Sequence, residues 1–236
     1  MNIYRLPCYL SILFTLVCSL PVFADNQLID KVYHPYVLAN EREFEIRTFS
    51  RSDNNANELS RRIGYGFSLN EHIAVEAYVI GDRDINGNFG FRSYEGEMRW
   101  MLTEQGQYFV DAGFLFELER DNTNGVWAST SGLLLEKEFG KTSLTGNFFL
   151  LYNSDKFVEH TFSTQVRMQY RYRLIPEIQP AVELYRSDDF VGLGPAFLGE
   201  KKFSPYQRLK WEAALIVGFN GDRRDHTFRF SLEYEF

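Results

Sequence analysis

Hydrophobic and polar residues alternate with a period of two along most of the chain. The clearest run is 227–236, where every second residue is aromatic or aliphatic and the positions between them include Arg229, Ser231, Glu233 and Glu235. Because successive side chains of a β-strand point to opposite faces of the sheet, this run predicts a strand with one apolar and one polar face.

Three further segments show the same alternation clearly and eight show it less perfectly, and Gly, Asn, Asp and Pro cluster between them. The sequence therefore predicts twelve antiparallel strands, with ten or fourteen as alternatives. Tight turns alternate with longer polar connections; residues 50–61 are predicted to be a loop and 199–207 a long turn. The predicted strands are 41–49, 63–69, 73–79, 91–102, 110–118, 127–139, 143–152, 161–174, 178–185, 191–198, 208–219 and 227–236.

The polar faces of these strands carry many charged residues. Burying them in a soluble β-sandwich would cost several kcal/mol for each unpaired ion. A membrane barrel turns the charges toward a wet lumen and the aromatic residues toward lipid, and its closure pairs every edge strand. We therefore predict an all-β fold, a transmembrane antiparallel up-and-down β-barrel over residues 41–236.

The first 24 residues have the features of a cleaved signal peptide. Arg5 supplies a positive charge, and the apolar run at 9–20 is too short to cross a bilayer as a helix. Val22 and Ala24 stand at minus three and minus one of a cleavage site. We predict cleavage after Ala24, which leaves residues 25–40 as a periplasmic N-terminal segment before the barrel.

Both cysteines, Cys8 and Cys18, lie within this predicted signal peptide. A lipidated cysteine follows a small residue, whereas Val17 precedes Cys18, so we expect no lipid anchor. The mature chain would then contain no cysteine, which excludes disulfides, thiol catalysis and cysteine metal sites.

Composition narrows the class further. Aromatic residues make up 17% of the chain and charged residues 24%, and the formal net charge is -7. The acidic balance argues against a nucleic-acid partner. No long apolar run follows the signal peptide, so membrane helices are not expected, whereas abundant aromatic residues suit strands that contact lipid.

Four stretches of the mature sequence resemble a group of proteobacterial outer-membrane β-barrel proteins, most of them without an assigned function. These stretches are HPYVLANEREFEIRTFS at 34–50, LTEQGQYFVDAGFLFELER at 102–120, LLLEKEFGK at 133–141 and SLEYEF at 231–236. The resemblance covers most of the mature chain. It implies a barrel in the outer membrane of a Gram-negative bacterium, and it implies no substrate.

The end of the chain also resembles the signal by which barrel proteins are recognised for assembly. That signal is an alternating hydrophobic run that ends in an aromatic residue, here Phe230, Leu232, Tyr234 and Phe236. The resemblance implies the barrel-assembly machinery as a partner, besides outer-membrane lipid and lipopolysaccharide. Copper-resistance barrels are rich in Met and His, whereas this chain has 4 of each, so we do not infer that it handles copper.

The strongest candidate site is the charged face that would line the lumen. Acids dominate the earlier strands, and arginine and lysine dominate the later ones. Either the two charged walls meet in a salt-bridged, closed lumen, or they border a narrow channel whose transverse field orients small polar or charged solutes. We expect Arg167, Arg171 and Arg173 to share one inward face and to interact electrostatically with one another. The predicted lumen set is Glu43, Glu45, Arg47, Glu97, Arg99, Asp111, Glu117, Arg167, Arg171, Arg173, Glu183, Arg208, Lys210, Glu212, Arg229 and Glu233.

Signals for catalysis are weaker. Asp225 and His226 could act as an acid and base on water, but a loop histidine beside an aspartate is usually solvated. No histidine stands near Ser129 or Ser131 at a spacing that would indicate a serine-hydrolase site. We expect no enzymatic activity, no cofactor and no metal site. Further loop residues weighed for hydrolysis, or for contact with calcium or lipopolysaccharide, are Asp82, Asp84, His160, Asp188, Asp189 and Asp222.

Three functions follow from these observations, in this order. The first is a narrow passive channel for small polar or charged solutes. The second is a structural or binding barrel with a salt-bridged, closed lumen. The third is an outer-membrane barrel hydrolase.

Overall fold

A computed structural model of the protein describes residues 29–53, 56–83, 87–123, 125–154, 161–188, 190–219 and 226–236. In these residues twelve strands form one closed antiparallel barrel, so the predicted fold is confirmed. No helix in the described part of the chain is long and apolar enough to cross a membrane. The strands are β1 (Arg42–Asp53), β2 (Ala56–Ser68), β3 (Ile73–Arg83), β4 (Phe89–Met101), β5 (Asp111–Asp121), β6 (Trp127–Phe139), β7 (Thr142–Ser154), β8 (Thr161–Tyr172), β9 (Gln179–Ser187), β10 (Val191–Ser204), β11 (Gln207–Gly218) and β12 (His226–Glu235).

Each strand pairs with its neighbours in sequence, and β12 closes the barrel against β1. The closing pair runs from Glu43 opposite Glu235 to Ser52 opposite His226. The backbone N–H of Phe236 then donates to the carbonyl of Arg42 at 2.9 Å. We call the end at which β1 begins and β12 ends the turn end, and the opposite end the loop end.

The period-two pattern separates the two faces of the barrel. Outside, aromatic and aliphatic side chains such as Phe44 and Tyr94 are more than half exposed, at 53% and 58%. Inside, charged side chains such as Arg47 and Glu183 are fully buried. The structure therefore has an apolar outer surface and a polar interior, as a strand that meets lipid on one face requires.

Two connections differ from the sequence-based prediction. Residues 50–53 and 56–61 continue β1 and β2, which pair as far as Asp53 opposite Ala56, where the sequence predicted a loop. Apart from Leu59, the residues at 50–52 and 58–61 are polar, so the alternation that reveals a strand is missing. The predicted long turn at 199–207 is also short, because β10 and β11 pair as far as Ser204 opposite Gln207.

The chain before β1 lies inside the barrel. Val32 and Tyr33 are each 1% exposed and pack against inward-facing residues of six strands, β5 to β7 and β9 to β11. The prediction that residues 25–40 form a periplasmic segment is therefore wrong for residues 29–38. Polar and apolar residues of this stretch both find partners on the inner face of the barrel, whereas outside it the apolar residues would be exposed. We call residues 29–38 the inner segment.

Candidate functional site

The inner segment crosses the lumen from the loop end to the turn end. Ile29 borders a cavity with Phe49 and Phe190 near the loop end. At the turn end, the hydroxyl of Ser68 donates to the carbonyl of Leu38 at 2.5 Å. Residues 29–38 therefore occupy the path that a solute would follow through the barrel.

Apolar side chains of the inner segment fill three positions along this path. Val32 packs in a cluster with Tyr185 and Ile216. Further along, Tyr33 packs in a second cluster that includes Phe149, whose ring lies 6.3 Å from its own, centroid to centroid, at an angle of 75°. Val37 packs in a third cluster near the turn end. Each cluster interrupts the polar lining of the lumen and contains one buried residue of the inner segment, and Ile29 and Tyr36 pack against the first and third clusters.

Asp30 joins the two charged walls of the lumen. Its carboxylate pairs with Arg47 on β1, lies 3.4 Å from Nη1 of Arg62 on β2 and lies 3.7 Å from Nη1 of Arg167 on β8. Its backbone carbonyl accepts hydrogen bonds from the hydroxyl of Tyr185 and from Nη1 of Arg229, both at 2.6 Å. One residue of the inner segment thus holds arginines from both sides of the barrel.

The arginines control the charge of Asp30, which lies outside the strands. Burial alone would raise the pKa of its carboxyl, but the guanidiniums of Arg47, Arg62 and Arg167 outweigh burial and hold that pKa well below its ordinary value. Asp30 is therefore ionised at neutral pH, and its negative charge compensates the buried arginines.

Other polar groups of the inner segment bind the acidic side of the lumen. Nζ of Lys31 lies 3.1 Å from Oε2 of Glu45. The hydroxyl of Tyr33 donates to Glu97 at 3.0 Å or to Glu117 at 3.2 Å. Further contacts join Nδ1 of His34 to Glu136 at 2.5 Å and the hydroxyl of Tyr36 to Asp111 at 2.8 Å.

The backbone of the inner segment is bound by side chains of the barrel wall. Nη1 of Arg167 donates to the carbonyl of Lys31 at 2.9 Å, and the amide of Asn147 hydrogen-bonds both polar backbone groups of Tyr33. Among the described residues, no backbone–backbone hydrogen bond joins residues 29–38 to a strand. The inner segment is therefore not part of the sheet.

Gly113 makes room for the inner segment where the chain turns at Pro35. A Cβ atom at Gly113 would lie 2.9 Å from the Cβ of Pro35 and 3.0 Å from its carbonyl oxygen. Since real side chains do not approach so closely, the absence of a side chain at Gly113 is what allows this contact.

The inner segment separates two cavities. The loop-end cavity of about 240 Å³ is bordered by Ile29 and Asp30. The turn-end cavity of about 440 Å³ is bordered by Lys31, Val32 and other residues of the segment as far as Leu38. In this conformation the barrel has a vestibule at each end and a closed centre.

The predicted lumen set lies on the inner face of the barrel, but its three neighbouring arginines do not act together. Arg167 contacts the inner segment, Arg171 lies 3.5 Å from Glu136, and Arg173 lies 2.6 Å from Glu138. Each has a different carboxylate. The members placed inside are Glu43, Glu45, Arg47, Glu97, Arg99, Asp111, Glu117, Arg167, Arg171, Arg173, Glu183, Arg208, Lys210, Glu212, Arg229 and Glu233.

The loop residues considered for catalysis are not brought together by the described part of the chain. His226 begins β12 and is exposed. Asp82 lies 2.9 Å from Arg92, and Asp188 accepts a hydrogen bond from the backbone of Thr164 at 3.1 Å. Asp84, His160, Asp189, Asp222 and Asp225 lie outside the described residues, as do the predicted signal peptide and its cleavage site.

Sequence reasoning missed the residues that close the lumen, above all Asp30, Tyr33 and Asn147. One signal was available. Leu115, Leu134 and Phe149 interrupt the polar positions of β5, β6 and β7, and all three face inward. Apolar residues on a lumen face need an apolar partner, so these positions indicate that something packs inside the barrel.

Comparison with solved structures identifies the same architecture in outer-membrane proteins. A KdgM porin in complex with disordered oligogalacturonate is 10% identical over 82% of this chain and 99% of its own, with a TM-score of 0.57. An outer-membrane channel from Pseudomonas putida F1 is 13% identical over 88% and 98%, also at 0.57. The β domain of the Bordetella autotransporter BrkA is 11% identical over 84% and 99%, at 0.56.

No protein-family model matches the chain, and no curated protein matches it significantly. At identities this low, the solved structures show that the chain has the fold of outer-membrane β-barrels. Porins, channels and autotransporter domains share that fold, so the function must be argued from the lumen itself.

Proposed function

We propose that the protein is an outer-membrane β-barrel that forms a narrow channel for small polar or charged solutes, closed in this conformation by its inner segment. The apolar outer surface fits the lipid of a bilayer, with lipopolysaccharide in the outer leaflet as its neighbour. The hydrophobic residues of the terminal run, Phe230, Leu232, Tyr234 and Phe236, face that lipid and are the proposed signal for the barrel-assembly machinery.

The observation that carries the proposal is the way in which the lumen is closed. Vestibules of about 240 and 440 Å³ approach residues 29–38 from opposite ends. The segment between them is bound by side chains alone, as far as the described residues go. It can therefore leave the lumen without breaking any strand pairing, and its departure would join the two vestibules.

A structural barrel with a closed lumen is the second candidate, and one observation favours it. Arg229 and Glu183, 2.8 Å apart, are both fully buried, and the loss of either partner would leave an uncompensated charge. Ion pairs of this kind stabilise a filled barrel whether or not the inner segment ever moves. The two candidates therefore differ in one measurable property, which is conductance that depends on the inner segment.

A reversible disulfide between the inner segment and the wall tests the proposal. In the double variant Pro35→Cys with Gly113→Cys, the two cysteine Cβ atoms would be 2.9 Å apart if the backbone did not move. Disulfides prefer about 3.5–4.5 Å, so the segment needs to shift by about 1 Å. Both native cysteines lie in the predicted signal peptide, so the mature variant would carry this pair alone.

The readout is conductance in planar bilayers together with liposome swelling in a neutral pentose. We expect the oxidised double variant to be silent and the reduced protein to conduct, with the single Gly113→Cys variant insensitive to reductant. Equal conductance in the oxidised and reduced protein would show that the segment does not close the path. If neither the oxidised nor the reduced protein conducts, and a variant whose inner segment is less tightly bound does not conduct either, the structural barrel is the better account.

A further inference from the structure

Arg47, Arg167 and Arg229 are each held by the barrel wall on one side and donate to the inner segment on the other. In each, one edge of the guanidinium is held by the barrel wall: Nε and Nη2 of Arg47 by Glu45, those of Arg167 by Gln165, and Nη2 of Arg229 by Glu183. In each, Nη1 donates to an oxygen of residues 30–31. The wall therefore fixes three N–H groups that converge on one short piece of the inner segment.

Arg167 shows this most clearly. Gln165, two residues away on β8, accepts hydrogen bonds from its Nε at 2.9 Å and its Nη2 at 2.7 Å. Its guanidinium carbon lies 4.5 Å from the centroid of the Phe149 ring. Nη1 is the nitrogen that reaches polar atoms of the inner segment, at the carbonyl of Lys31 and the carboxylate of Asp30, and the guanidinium carbon also lies 6.0 Å from the centroid of the Tyr33 ring. The guanidinium is thus oriented by the barrel before the segment contributes anything.

The oxygen atoms that these N–H groups bind indicate which kind of ligand could bind in their place. They are a carboxylate oxygen and the carbonyl oxygen of Asp30, with the carbonyl oxygen of Lys31 beside them. A solute with a charged carboxylate and further oxygen acceptors a few bonds away offers these N–H groups the same kind of acceptors. Hydroxy acids and acidic sugars are solutes of this chemical class.

We propose that the N–H groups of Arg47, Arg167 and Arg229 form a binding site for solutes that carry a carboxylate next to other oxygen acceptors, and that Asp30 occupies this site while the lumen is closed. The site rests on the proposed function, since such a solute would replace the inner segment inside the channel. The segment and the solute then compete for the same three arginines.

The loop-end cavity gives a solute access to this position. Asp30 and Arg62 both border that cavity, and Arg62 contacts the carboxylate of Asp30 at 3.4 Å. Arg51, Arg83 and Arg92 border it as well, together with the acids Glu58 and Asp82, the latter 2.9 Å from Arg92. An anion in the cavity therefore meets guanidinium groups on the way to the carboxylate that it would replace.

Arg167 should dominate the preference for a carboxylate. Arg47 keeps Glu45 and Arg229 keeps Glu183 when the inner segment leaves. Of the described residues, only Asp30 places a carboxylate within 4.0 Å of Arg167. Its charge is thus the least compensated of the three once the segment has gone, and a bound anion restores the compensation.

The test uses the refolded mature chain in detergent micelles, with isothermal titration of two probes. Gluconate carries a carboxylate beside hydroxyl groups, and sorbitol is its uncharged counterpart of similar size. Asp30→Ala removes the competing carboxylate, and Asp30→Asn provides the same test with less change of shape if the alanine variant does not fold. Heat-modifiable migration on gels verifies folding.

We expect the Asp30 variants to bind gluconate and not sorbitol, and the wild-type chain to bind gluconate more weakly. Adding Arg167→Gln should weaken gluconate binding about tenfold or more, because a charge-assisted hydrogen bond is lost. Arg171→Gln, on the same strand and face but paired with Glu136, is the matched control and should leave binding unchanged.

A folded Asp30 variant that does not bind gluconate, or that binds sorbitol equally well, would overturn the site. So would equal effects of Arg167→Gln and Arg171→Gln. No membrane passage is involved in this measurement. Absence of conductance in bilayers therefore contradicts the channel and not the site, whereas absence of binding in micelles contradicts the site and not the channel.

Discussion

The side-chain amide of Asn147 hydrogen-bonds both polar backbone groups of Tyr33. The N–H of Tyr33 donates to Oδ1 of Asn147 at 2.8 Å, and Nδ2 of Asn147 donates to the carbonyl of Tyr33 at 2.8 Å. A single buried side chain of β7 thus satisfies the groups that a neighbouring strand would otherwise satisfy. This contact lies at the centre of the inner segment, which makes it the best position from which to loosen the closure.

Asn147→Leu should release the inner segment and raise conductance. The substitution removes two hydrogen bonds and leaves the N–H and C=O of Tyr33 unsatisfied while it stays inside, at a cost of about 1–3 kcal/mol each. Single-channel recording should show longer or more frequent openings than in the wild type.

The matched control is Gln169→Leu, which removes an amide from the inner face of β8 that binds Glu183 at 2.8 Å and not the inner segment. Conductance of this variant should stay at the wild-type level. Similar opening in both variants would mean that general loosening of the lumen, rather than release of Tyr33, opens the path.

Acid should open the barrel only at low pH. The arginines lower the pKa of Asp30 in the closed state from its ordinary value of 3.8, so Asp30 stabilises closure at every pH above that value. This contribution decreases as the pH falls below 3.8 and is retained between pH 7 and pH 5.

Conductance recorded from pH 7 to pH 3 checks this expectation by comparison of the wild type with Asp30→Asn. The variant should conduct more than the wild type at pH 7, and the difference should stay constant to about pH 5 and narrow only as the pH falls below 3.8. Parallel curves over the whole range would contradict a role for the Asp30 charge in closure.

Arg171 and Arg173 should differ in their effect on stability, although they stand two residues apart. The partner of Arg171 is Glu136, which is fully buried, whereas Arg173 and Glu138 are each about one third exposed. Arg171→Gln should lower the free energy of unfolding by about 1–3 kcal/mol, and Arg173→Gln by less than about 1 kcal/mol. Urea titration in the presence of lipid vesicles measures both values, and equal losses would contradict the assignment of these partners.

Phe236→Asp should lower the yield of folded protein in the outer membrane. Phe236 faces outward, and its ring stacks on Phe44 of β1 at 5.6 Å, so it lies at the seam where the first and last strands join. Phe236→Leu keeps an apolar residue there and should assemble better than Phe236→Asp. Normal yield and normal heat-modifiable migration of the aspartate variant would show that this position does not guide assembly.

The mature N-terminus should be Asp25, without a lipid. Mass spectrometry of protein isolated from membranes tests both parts of this prediction, since cleavage after Ala24 and acylation at Cys18 give different masses. An acylated Cys18 would contradict it.

The barrel could be predicted from sequence because its strands meet two different solvents. In β12, Phe230 and Tyr234 face outward while Arg229 and Ser231 are buried inside, and this contrast is visible in the order of residues. Where both faces are polar, as around Arg51 and Glu58, the contrast disappears and the prediction failed.

The closure could not be predicted in the same way. Asp30, Tyr33 and Asn147 come together through contacts that span more than a hundred positions of sequence, and the inner segment has no periodic pattern because it belongs to no strand. Its position follows from the space and the charges that the completed barrel leaves inside. Those become known only when the register of all twelve strands is known.

In the part of the chain that the structure describes, residues 29–38 share no strand pairing with the barrel, so the barrel and the inner segment should each have their own stability. The amides of β1 to β12 should exchange with deuterium only when the barrel as a whole opens, whereas those of the inner segment should exchange whenever the segment detaches. Substitutions that alter one rate need not alter the other. Natural variation can therefore adjust how tightly the lumen is closed while the barrel that must survive in the membrane keeps its folding free energy.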